Sequence, residues 1–187
     1  MNSLPRSQGF SMVELMIVVT IIAVLTMLAL PNFAEWLQNS RTRSVAESMQ
    51  NGIRFAQGEA ARLNRVTTFT PSATGGWTVT YVPTDNDSIP TTLQTANDPN
   101  IANVTVAPTT AISFNSLGRA GTAGSYSSAT GSTAFTLATA DYAVTYLVTN
   151  SHAPRRLRVY VTPGGKVRQC DPDKTFDVAA APDGCPS

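Results

Sequence analysis

GFSMVELMIVVTIIAVLTMLALP, residues 9–31, sets one carboxylate, Glu14, directly before a charge-free apolar run from Leu15 to Leu30. An ionised carboxylate is expensive in hydrocarbon, and where one is retained it has a function and normally a partner. The nine residues before this run, Met1 to Gly9, are polar and carry Arg6 but no acid. A secretory signal has a basic region, an apolar stretch and then a small-residue cleavage site. Here the small residue, Gly9, comes first. Cutting after it would leave the apolar segment on the mature chain.

Working outward, residues Phe10 to Leu30 are apolar on every side of a helix and approach the roughly 20 residues needed to cross a bilayer. Pro31 is expected to kink the helix or mark its exit, since proline removes a backbone donor and crowds the preceding turn. Beyond it the pattern becomes one-sided. Phe33, Leu37, Val45, Met49, Ile53, Ala56, Ala60 and Leu63 recur at steps of three, four or eight, which hold one face of an amphipathic helix. Arg41, Arg43, Glu47, Glu59 and Arg62 occupy other positions and read as a solvated face. A helix from Phe10 to about Asn64 would be roughly 80 Å long at about 1.5 Å per residue.

After Asn64 the composition shifts to β-branched and turn residues. Trp77, Val79 and Tyr81 alternate with threonine, as do Tyr142, Val144, Tyr146 and Val148 with their neighbours. Ile112–Phe114 and Phe135–Leu137 are shorter versions. Period-two alternation between Gly, Asn and Pro clusters predicts antiparallel strands. Two stretches, 83–103 and 118–132, show no such pattern and are expected to be long loops.

The chain of 187 residues has room for one anchor helix and one domain of ordinary size. Its net charge of +1 singles out no partner, and its charged fraction of 13% suits an exported β domain. Cys170 and Cys185, in such a domain, are expected to form one disulfide closing a C-terminal loop; two free buried thiols are the alternative. With a single histidine, His152, no zinc site is expected. No enzyme is expected either. No serine or cysteine elbow accompanies His152, and Gly164-Gly165-Lys166 lacks both the spacing and the Ser/Thr of a phosphate loop. No cofactor is implied.

From Arg155 to Arg168 there are five cations and no acid. Leu157, Val159 and Val161 alternate with Arg156, Arg158 and Tyr160, and Pro163-Gly164-Gly165 supplies a turn. A two-residue turn at Gly164-Gly165 would pair Val161 with Arg168. A three-residue turn pairs Val161 with Val167 and Tyr160 with Arg168, keeping apolar beside apolar, with glycine at the left-handed position. In that register Arg156, Arg158, Tyr160, Lys166 and Arg168 point outward together. Four cations beside an aromatic would suit a phosphate backbone with a base stacked on the ring. A solvated face paired with Asp171, Asp173, Asp177 and Asp183, or a subunit contact through arginine forks, are the competing readings.

The glycine, aromatic, glutamate and apolar run at 9–31 resemble a class III signal, the signature of type IV pilins and type II secretion pseudopilins. Further stretches resemble the GspH/FimT group of that family: MQNGIRFAQGEAARLNRV at 49–66, ISFNSLGR at 112–119, and Gly165-Lys166-Val167-Arg168 before Cys170, which is similar to a Gly-Arg-x-Arg ending with lysine for the first arginine. The resemblance implies an α+β, type IV pilin-like fold with a long N-terminal helix packed on an antiparallel β-sheet domain. It implies a cleaved leader (1–9), a transmembrane half-helix (10–31), an amphipathic half-helix (32–65) and a β-rich head with a C-terminal disulfide loop (66–187).

Under the same resemblance, Gly9 and Phe10 would be the sites of cleavage and N-methylation, and Glu14 would act in assembly. The function implied is that of a FimT- or FimU-like minor pilin, in or at the tip of a type IV pilus and helping to initiate it. The alternatives are a pilus-borne receptor for DNA in natural transformation, through Lys166, Arg168, Arg158, Arg156 and Tyr160, and a minor pseudopilin of type II secretion. The partners implied are other major and minor pilins, the prepilin peptidase, the inner membrane and double-stranded DNA. The chain would cross the bacterial inner membrane once, head in the periplasm, and end in the extracellular pilus.

Overall fold

Val45, Met49, Ile53, Ala56 and Ala60 fall on one stripe of a helix, and in the computed structural model all five are fully buried. The structure describes residues 10–84, 91–97 and 103–186 and, within these, all side chains but those of 28–32. The leader, including Gly9, lies outside them. Helix α1 runs Met12–Leu63. It passes through Pro31 as helix rather than ending there. The chain divides into two units, residues 1–37 and 38–187.

In the first unit the apolar side chains from Phe10 to Met27 are exposed, and so are Phe33, Trp36 and Leu37. Among the described residues no helix is long and apolar enough to cross a membrane. The apolar run read from the sequence extends to Leu30, and its last side chains lie outside the described residues.

The second unit holds β1 (Thr67–Pro71), β2 (Trp77–Tyr81), β3 (Thr92–Ala96), β4 (Val104–Ala107), β5 (Ile112–Phe114), β6 (Ala120–Ser127), β7 (Ser132–Leu137), β8 (Val144–Asn150), β9 (Ala153–Val161), β10 (Val167–Thr175) and β11 (Gly184–Cys185). They form a six-stranded sheet in the order β3-β2-β1-β5-β6-β7 and a five-stranded sheet in the order β11-β10-β9-β8-β4. Pairing is antiparallel except between β10 and β11.

The buried stripe of α1 joins Phe69, Trp77, Val79, Ile112 and Phe114 of the larger sheet and Tyr146, Val148, Leu157, Val159 and Val161 of the smaller in one core. Three polar side chains that enter it have partners, while Asn39 Oδ1 on α1 is buried with none among the described residues. Thr67 donates to the Ala56 carbonyl at 2.7 Å, the Trp77 indole N–H to Ser48 Oγ at 3.0 Å, and the Tyr146 hydroxyl to the Thr110 carbonyl at 2.7 Å. The expectation of long loops at 83–103 and 118–132 does not hold over the described residues. The first contains β3, and the second contains β6, paired on both sides by β5 and β7. Ladder hydrogen bonds from two neighbours hold an Ala/Gly/Ser segment whose own strand propensity is low.

Gly52 lies where α1 meets the larger sheet. A Cβ there would sit 2.6 Å from Trp77 Cε2 and 2.8 Å from Phe69 Cε2. Glycine to alanine inside a helix ordinarily stabilises by about 1 kcal/mol. Forcing a methyl between two packed rings costs about 1–3 kcal/mol, so the sign is expected to reverse. Gly52→Ala should lower the melting temperature of the full chain in detergent, and an unchanged or higher value would mean the rings can move aside.

Candidate assembly and nucleic-acid interface

Two surfaces carry the residues singled out by the sequence. The first is the start of α1. Ser11 precedes the helix, its carbonyl accepting from Leu15 N–H at 3.1 Å and its hydroxyl from Val13 N–H at 3.4 Å. Glu14 stands exposed in the first turn, where the positive end of the helix dipole favours a carboxylate. The apolar surface that follows it is uncovered in the isolated chain.

The second surface is the β9–β10 hairpin, and it forms in the three-residue register. Val167 pairs with Val161 and Arg168 with Tyr160. Thr162 N–H donates to the Lys166 carbonyl at 3.0 Å, and Gly165 N–H to the Thr162 carbonyl at 2.8 Å. Gly165 takes φ 84°, the left-handed conformation the turn needs. Lys166 and Arg168 are exposed, and neither has an ion-pair partner among the described residues.

The outward set is smaller than its sequence implied. Tyr160 has the expected parity but is only 8% exposed, packed with Cys170, Cys185 and Tyr142. Tyr142 meets it edge-on with ring centroids 5.0 Å apart. The Cys170–Cys185 disulfide, present as expected, carries β11 across this face. Tyr160 is therefore no platform for a base. Arg156 is engaged bidentately by Asp173 through Nε and Nη2. That hydrogen bond and charge hold the Asp173 carboxyl below its usual range and raise the guanidinium.

Arg158 is half-buried and lines a cavity of about 40 Å³ with Tyr142, Thr145 and the disulfide. Nearby, Lys174 contacts Asp183 at 2.8 Å and Asp171 at 3.8 Å. The hydrogen bond to Lys174 is the main cause lowering Asp183, while the backbone N–H groups of Ala180 and Ala179 lower Asp177. The acidic C-terminal loop thus neutralises one end of the basic hairpin and leaves Lys166 and Arg168 at the other.

A link not read from the sequence joins three distant stretches. Gln57 on α1 donates to the Gly118 carbonyl at 2.8 Å. A Cβ on Gly165 would run into that carbonyl and into Gln57 Nε2. Ala120 N–H donates to the Pro163 carbonyl at 3.0 Å, and Asn115 Oδ1 accepts from Leu117 and Arg119 N–H at 3.1 and 3.0 Å. The hairpin tip is seated on the turn that presents Arg119. These are the same three stretches whose wording resembled the family, and the structure gives them one location.

Residues 45–165, more than half of the chain, match the family described as Type II transport protein GspH. The chain belongs to the GspH family. Ahead of its GspH region, residues 4–30 match the prokaryotic N-terminal methylation motif, which takes in Gly9, Phe10 and Glu14. The GspH match contains α1 from its first buried valine through the β9–β10 turn, and so includes Gln57, Gly118 and Gly165 together. Two crystal structures of the type IV minor pilin FimU of Pseudomonas aeruginosa, in space groups P21 and P65, are similar to this GspH-family chain. Each shows 13% sequence identity; they cover 74% and 71% of it and 95% and 94% of their own lengths, with TM-scores of 0.49 and 0.47. No curated protein matches the sequence.

Proposed function

We propose that this chain is a minor pilin of a type IV pilus, cleaved after Gly9 by a prepilin peptidase, methylated on Phe10, and helping to initiate the filament among other major and minor pilins. The observation that carries this reading is the N-terminal methylation motif and the GspH region joined on one helix. A peptidase that cuts before an apolar helix leaves a subunit with a free amine at the helix start and a carboxylate one turn inside it. The resemblance of the 165–168 ending to FimT proteins supports a pilus over a type II secretion pseudopilus.

The test is mass spectrometry of pili sheared from cells making the chain. The expected peptide begins at N-methylated Phe10. A chain found solely in the membrane fraction, with residues 1–9 still attached, would overturn the proposal. Recovery from a secretion pseudopilus instead would move it to the type II system.

The exposed Lys166 and Arg168 favour a second function on the same subunit, DNA contact in natural transformation. With Tyr160 covered, contact would fall on phosphates and be blind to base sequence. The Lys166→Gln/Arg168→Gln double variant is expected to weaken binding uniformly across DNA sequences and to reduce the slope of log affinity against log salt by about two. Equal binding by variant and parent in gel shifts at two salt concentrations would leave this face to subunit contacts.

A further inference from the structure

The chain has two tryptophans, and they are used in opposite ways. Trp77 is buried in the core with its N–H on Ser48. Trp36 is 63% exposed, and its N–H has no partner among the described residues. It stacks on Phe33, three residues earlier and 59% exposed, with ring centroids 5.8 Å apart and planes at 30°. Leu37 extends the same exposed patch. An isolated surface apolar side chain needs no explanation. A stacked aromatic pair held outward on a continuous helix is a surface awaiting an occupant.

The spacing identifies that occupant. Between Glu14 and Glu35 the sequence carries no charge, from Leu15 through Ala34. Glu14 and Trp36 are separated along α1 by about 33 Å at about 1.5 Å per residue. The hydrocarbon layer of a bilayer is about 30 Å thick. With Glu14 at one boundary, Trp36 arrives at the other. Tryptophan is enriched at such boundaries because its ring body is apolar while its N–H seeks a polar partner. The exposed N–H of Trp36 is free to bond a lipid headgroup or interfacial water at that boundary.

We infer that Phe33 and Trp36 form an aromatic seat at the outer lipid–water boundary, fixing the depth of the helix before the subunit leaves the membrane. The inference rests on the membrane-anchor part of the function proposed above. The seat also sets where Glu14 waits, at the opposite boundary and not in hydrocarbon.

The test uses the full chain in vesicles of phosphatidylethanolamine and phosphatidylglycerol, with brominated lipids as depth-resolved quenchers. The Trp36 emission is taken as the difference between parent and Trp36→Phe, so Trp77 and the core stay intact. The expected result is loss of that emission with bromines near the headgroup end of the acyl chains and its retention with bromines near the chain terminus. Stronger quenching by deep bromines would place Trp36 in hydrocarbon and overturn the inference. Retention at both depths in a chain that floats with the vesicles would mean that protein or bulk water surrounds Trp36, overturning the seat while leaving the anchor. A chain that does not float with the vesicles would overturn the anchor and the seat together.

Discussion

Glu14→Ala should strip this subunit from the pilus while leaving its synthesis and its head intact. The proposed filament buries the start of one helix against the next, so Glu14 meets the methylated amine of Phe10 on a neighbour. Each charge alone would be costly there, and together they are tolerable only in one register. Removing one partner of such a buried pair costs about 3–5 kcal/mol, because the other is left uncompensated. That corresponds to a loss of roughly a hundredfold or more in the equilibrium for entry. Glu14 is exposed in the isolated chain and bonded to no core residue, so the variant should fold as the parent does. The measurement is the ratio of the chain in sheared pili to that in membranes. Normal incorporation of Glu14→Ala would refute the pairing role. Glu14→Gln keeps a hydrogen-bonding side chain without its charge, and is expected to fall between the two.

Legibility in the sequence followed the range of the interaction. The α1 stripe from Val45 to Ala60 was readable because three- and four-residue steps report one helix's own geometry. The β9–β10 register was readable because Val161 and Val167 have the same parity about the Gly165 turn. Strand β6 was not readable, because its residues are chosen for neighbours rather than for strand propensity. A Cβ on Gly121 would collide with the Thr136 carbonyl, and one on Gly124 would come within 2.9 Å of Ala134 Cβ. Those glycines read as loop but serve close approach of β7. The parity rule placed Tyr160 on the outer face, yet parity carries no information about a segment that returns to cover it. Gln57 gave no signal at all, since its contact with Gly118 crosses 61 positions.

Severing the disulfide is the change expected to cost the head most. Cys170 and Cys185 are 15 positions apart, and closing a loop of that size removes about 3 kcal/mol of unfolded-chain entropy on the simplest account. For a chain of this length each kcal/mol shifts the melting temperature by about 2–4 °C, so Cys170→Ser/Cys185→Ser should melt roughly 6–12 °C lower. The loss should also be local. Strand β11 is two residues long, and what else holds it is short: its parallel pairing with β10 at Asp171 and Thr175, Asp171 N–H on the Asp183 carbonyl at 2.7 Å, Phe176 N–H on the Cys185 carbonyl at 2.9 Å, and the exposed Lys174–Asp183 pair. An exposed ion pair contributes little. Without the bridge, β11 should lift away and uncover Tyr160 and Tyr142, while Val159, Val161 and Val167 keep the β9–β10 hairpin on the core. Hydrogen exchange should then show protection lost in residues 171–185 and kept in 157–168, with the two tyrosine rings newly open to solvent. A variant that melts with the parent, or that keeps Tyr160 shielded, would show that packing rather than the covalent bond holds this segment across the basic face.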